Sequence, residues 1–166
     1  MEIRKKEEGN VYDDDGALVT SGSILAQKIQ QLLIFFKLII PDMTPEEVQY
    51  VDDALLKTYG NFGITHKNKS LLDPNDKKKY RKMPILSDVY SELEKMGAPA
   101  NRLCRLLTRY TTGSASSFNA QTNVNLNNKF VVLDVSDAQK DFLPVAMFLA
   151  LDYVWDKCKE NRNYRT

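Results

Sequence analysis

Cysteine, histidine and any excess of one charge are all scarce in this sequence, and each scarcity removes a class of function. Only Cys104 and Cys158 occur in 166 residues. They lie far apart without a CxxC or Cys/His companion, so neither a zinc site nor a secreted disulfide framework is encoded. Two buried, reduced thiols are expected instead. His66 is the only histidine, which excludes a Ser-His-Asp triad, a Cys-His pair and multi-histidine metal chemistry within this chain. Lys+Arg 23 against Asp+Glu 22 leaves a net charge of +1, so no overall field steers it to nucleic acid or to a membrane. The longest apolar run, Phe142 to Leu151, is interrupted by Pro144 and closed by Asp152, well short of the roughly 20 residues a membrane span needs. The opening Met1 to Glu8 is charged where a signal peptide is apolar, and a cytoplasmic location is the expectation. None of the seven glycines is followed by lysine, so the phosphate-binding signature G-x-x-x-x-G-K-[ST] does not occur.

What is present is an ordinary core-forming composition. With 43% hydrophobic and 27% charged residues, residues 1–166 are expected to fold as a single, mainly α domain of about five helices. Residues Glu2 to Ser23, with Gly9, Gly16, Gly22 and Asp13 to Asp15, read as an extended opening followed by an acidic loop. Leu25, Ile29, Leu32, Phe36 and Ile40 then recur at helical spacing, and Pro41 ends that helix. Thr44-Pro45-Glu46-Glu47 is a complete capping box with proline at the first helical position. Val48, Val51, Leu55 and Tyr59 form the buried stripe behind it, and Gly60 is the expected stop. The short connection predicts that the first two helices form an antiparallel hairpin.

Gly63 to Lys82 is a basic connector, with Tyr80 as its single aromatic residue. A phosphate-contacting loop and a solvated one are both readings of such a run. A third helix is expected from about Pro84 to Met96 and a fourth from about Pro99 to Tyr110. On the fourth, Arg102, Arg105 and Arg109 stand three and four apart on one side, a candidate contact for phosphate or for a partner. Thr122 to Leu126 and Phe130 to Val135 alternate or run apolar like strands, giving a short β element near residues 122–135. A last helix, with Ser136 or Asp137 as its first cap, restarts near Pro144 and carries Val145, Phe148, Leu149 and Trp155. The expected core holds Leu32, Phe36, Val51, Leu55, Leu93, Leu106, Val132, Phe148 and Trp155. No pair of residues forms a recognisable catalytic constellation, since the neighbours Asp52 and Asp53 point in different directions on a helix.

The order of features carries more than any one of them. Glu2-Ile3-Arg4, Phe35-Phe36-Lys37-Leu38, the Pro41 to Glu47 turn, Pro84 to Asp88, Arg105 to Gly113, Phe118-Asn119 with Thr122-Asn123-Val124, and Phe130 to Ser136 together resemble the conjugative-transfer ATPases of bacterial type IV secretion systems. That resemblance spans nearly the whole chain. It implies an internal helical segment of a larger P-loop ATPase, with the Walker A loop before it and the Walker B acidic pair after the helix of Trp155. No catalytic or metal-binding residue transfers to this chain, and no cofactor does. For the parent it implies ATP and magnesium, ATP-driven transfer of DNA or protein from mobile elements, and a place at the cytoplasmic face of the inner membrane. Homo-oligomers and secretion-channel partners are further implications for that parent. For these residues it implies a structural or interaction role against the rest of the ATPase domain. A lone strand needs partners, which fits a piece of a larger fold. A free-standing interaction module and a nucleic-acid-binding helical domain are the other two readings.

Overall fold

The computed structural model describes residues 4–6, 10–12, 23–76, 79–121 and 142–162. The fold is mainly α, as expected, with five α-helices among the described residues: α1 Ile24–Ile39, α2 Pro45–Asn61, α3 Leu86–Lys95, α4 Asn101–Thr111 and α5 Leu143–Arg162. The opening segment is extended, with β1 Arg4–Lys6 and β2 Asn10–Tyr12 paired antiparallel so that Lys5 faces Val11. The β element expected near residues 122–135 lies outside the described residues, and so does Val132.

Local chemistry explains where the helices begin. At α2 the Glu47 N–H donates to Thr44 Oγ1 at 3.2 Å and the Thr44 N–H donates to Glu47 Oε2 at 2.9 Å, which satisfies two amides that a helix start leaves free. Ser23 Oγ accepts from the Ala26 N–H at 3.1 Å, and Asn68 Oδ1 accepts from the Ile24 N–H at 3.2 Å. A side chain from the connector thereby helps to cap α1. At α3 the Asp88 carboxylate accepts from the Ile85 N–H at 2.7 Å.

The stop of α2 is displaced from the expected Gly60. The helix runs to Asn61, and Gly63 takes φ +73°. Its N–H donates to Gly60 O at 2.8 Å while the Ile64 N–H donates to Tyr59 O at 2.9 Å. This is a Schellman closure, and its apolar partners Ile64 and Tyr59 are both buried. Gly60 is an ordinary helical residue in the last turn.

Chain packing divides the molecule into two compact units, residues 1–33 with 44–121 and residues 34–43 with 122–166. In the first unit the close helix pairings are α2 with α3 and α3 with α4. These middle helices organise the unit. Its buried side chains include Leu25, Ile29, Val51, Leu55, Leu93, Leu103 and Leu107. In the second unit Phe35, Phe36, Ile40 and Val145 are buried, and the rings of Phe35 and Phe36 meet edge to face at 5.7 Å.

The expected core thus holds only in part. Phe36, Val51, Leu55 and Leu93 are buried, but Leu106 is 40% and Trp155 63% exposed. Leu32 and Phe148 are half-buried. On α4 the inward arc is Leu103, Cys104, Leu107, Tyr110 and Thr111, and Leu106 falls outside it. On α5 the buried position is Val145, whereas Leu143, Met147, Leu151 and Val154 lie along one exposed arc with Trp155 beside it. Cys104 is buried as expected, while Cys158 is exposed, a correction that follows from its place on that same arc.

Candidate functional site

The structure separates the members of the arginine series. All three stand on the outer side of α4, one helical turn apart. Arg102 is engaged structurally: its Nη1 donates to Glu47 Oε1 and Oε2, each at 2.8 Å. The pair ties the first turn of α2 to the first turn of α4. Glu47 is buried, and its carboxyl is held below the usual range first by the hydrogen bond from the Thr44 backbone and then by Arg102, against an opposing desolvation. Arg105 and Arg109 are exposed.

Arg105 borders a cleft of about 530 Å³ between α3 and α4, lined also by Tyr90 and Glu94 from α3 and by Asn101, Cys104 and Thr108 from α4. Neither Arg105 nor Glu94 has a hydrogen-bond or ion-pair partner among the described residues. Cys104 forms the buried floor, and burial, reinforced by the Glu94 charge, pushes its thiol up. It is therefore a protonated, weakly nucleophilic thiol near neutrality.

Asn119, missed as a functional position in the sequence, joins the ends of the two helices. Its Oδ1 accepts from the Ser87 N–H at 2.8 Å at the start of α3, and its Nδ2 donates to Thr111 O at 3.1 Å at the end of α4. The signal available was Phe118-Asn119 after the Gly/Ser-rich turn Thr111 to Ser117. Phe118 also sets its ring 6.2 Å from that of Tyr110.

The basic connector folds back on itself. Leu72 and Tyr80 form a β-bridge, Arg81 Nε donates to Ser70 O at 2.9 Å, and Lys79 pairs with Asp76 at 3.6 Å. Arg81 thus pins the connector; Lys77 and Lys78 lie outside the described residues. His66 Nδ1 shares a hydrogen bond of 2.7 Å with Ser23 Oγ. Among the described residues no group of His, Cys, Asp and Glu could hold a metal ion, and no helix is long and apolar enough to cross a membrane.

A nucleotide does not fit the Gly/Ser-rich turn. A phosphate cradle needs free backbone N–H groups at the start of a helix. Here the segment follows the C-terminus of α4, and its amides are engaged: Thr112 and Gly113 donate to Thr108 O, Ala115 to Arg109 O and Ser116 to Gly113 O.

Among solved structures, the chain's fold is similar to that of an ATPase of type IV secretion. The particular relative is a solved structure, VirB4 of Thermoanaerobacter pseudethanolicus, with a TM-score of 0.73 and 30% sequence identity. The likeness covers 85% of this chain and 54% of that one, so this chain spans about half of the VirB4 structure. No family model and no curated protein matches the sequence.

Proposed function

We propose that these residues are the helical segment of a type IV secretion ATPase of the kind that transfers DNA in conjugation, with a scaffold and interaction role and no catalysis of their own. The likeness to VirB4 over 85% of the chain supports the assignment. The observation that carries the interaction role is α5, where Leu143 at 40%, Met147 at 45%, Leu151 at 63% and Val154 at 48% exposure recur on one arc. Monomeric proteins seldom leave so continuous an apolar surface in water. The remainder of the ATPase domain is its natural cover. ATP and magnesium then belong to the parent protein, whose nucleotide loop would lie outside these residues, and assembly with further copies and with channel proteins at the cytoplasmic face of the inner membrane is a property of that parent.

The reading is tested by assaying the purified 166-residue chain for magnesium-dependent ATP turnover. No phosphate release above a protein-free control is expected. Turnover that copurifies with the chain and survives repeated chromatography overturns the scaffold reading.

A further inference from the structure

We infer that the cleft between α3 and α4 is a docking site for a polypeptide segment presenting both a carboxylate and a basic group. This inference does not depend on kinship with the secretion ATPases. It begins from two charges of opposite sign, Glu94 on the α3 wall and Arg105 on the α4 wall, that line one cleft. In a closed helical hairpin such residues usually meet as a surface ion pair. These two do not meet each other, and neither has another hydrogen-bond or ion-pair partner among the described residues. Glu94 and Arg105 nonetheless line the same cleft as Cys104.

The cleft therefore offers a cation on one side, an anion on the other and a buried, uncharged floor between them. A ligand that satisfies both must carry both signs, with its own carboxylate on Arg105 and its own amine or guanidine on Glu94. A ligand of one sign gains one contact and meets repulsion at the other. Both groups are solvent-exposed, and an exposed ion pair contributes little by itself, so a lone small zwitterion has too few contacts to stay. A polypeptide segment along the seam adds Tyr90 and the Asn101 amide, and Tyr with Arg is the pairing that anchors protein interfaces. A helical segment with Glu and Lys four apart carries both signs on one face.

The test is a titration of the ¹⁵N-labelled 166-residue chain with the acetylated, amidated peptide (EAAAK)3, with (EAAAE)3 and (KAAAK)3 as single-sign controls. Amide shifts are expected to gather at Tyr90, Glu94, Asn101, Cys104, Arg105 and Thr108. Glu94→Lys or Arg105→Glu should weaken binding about fivefold or more, while the double variant, which again holds one charge of each sign, should recover it. Added salt should weaken binding as well. Circular dichroism of each variant confirms that the helices persist. Shifts that are absent at millimolar peptide, that fall elsewhere, or that are equal for the single-sign controls overturn the inference.

Discussion

At the scale of single residues, the arginines of α4 differ in what they do although their spacing makes them look alike. Arg102 neutralises the buried Glu47, and removing it leaves a carboxylate without its cation. Arg102→Ala is expected to cost about 1–3 kcal/mol in urea unfolding, while Arg105→Ala stays within about 0.5 kcal/mol. The pH dependence has a definite sign. Folding holds the Glu47 carboxyl below its ordinary pKa, so its contribution is complete above the ordinary carboxylate range and is lost as pH falls through the lowered folded value. The stability gap between the natural chain and Arg102→Ala should narrow in acid over that window. A gap that stays constant there would show that Arg102 acts through packing alone. The capping half of this arrangement was legible, because Thr44 and Glu47 stand three apart. Its arginine was not, since Arg102 lies 55 residues further on and sequence spacing says nothing of such contacts.

At the scale of elements, helix starts were legible and helix partners were not. Capping depends on four neighbouring residues, so Thr44-Pro45-Glu46-Glu47 announced α2 without ambiguity. Thr44→Ala should lower stability by about 0.5–2 kcal/mol, read as a shift of the urea midpoint with unchanged slope; an unchanged midpoint would mean that the cap contributes nothing. Either Gly60 or Gly63 could end that helix on composition. Choosing between them requires knowing that Ile64 is buried beside Tyr59, a tertiary fact. The first helix was legible from its apolar spacing, and Phe36 is 1% exposed. Phe36→Ala should cost about 3–5 kcal/mol, and a loss below about 1 kcal/mol would place its ring outside the core. The hairpin of α1 and α2 was inferred from a short connection, yet the close pairings are α2 with α3 and α3 with α4. Connection length limits which helices are neighbours, and the apolar arcs decide which pack closest.

At the scale of the whole molecule, the same arithmetic explains why Trp155 was misplaced. An apolar stripe on a helix predicts burial against something, and the sequence pattern supplies no information on whether that partner lies within the same 166 residues. The ordered motifs from Glu2 to Ser136 pointed to the secretion ATPases, a resemblance the VirB4 likeness bears out. On the proposed reading, the exposed arc of α5 is the surface that the remainder of the ATPase covers. The candidate arginine series was legible as a pattern, but its division into a structural Arg102 and a cleft-lining Arg105 depended on the fold.

The central claim, that α5 packs against the remainder of a secretion ATPase, is tested most directly by the accessibility of Trp155, the only tryptophan in the chain. At 63% exposure its fluorescence in the 166-residue chain should be that of a water-exposed indole and readily quenched by iodide. Adding the P-loop-bearing remainder of a VirB4-type ATPase, with its own tryptophans replaced by phenylalanine, should shift the emission to the blue and protect it from iodide. Emission and quenching that stay unchanged at saturating concentrations of that remainder would contradict the account.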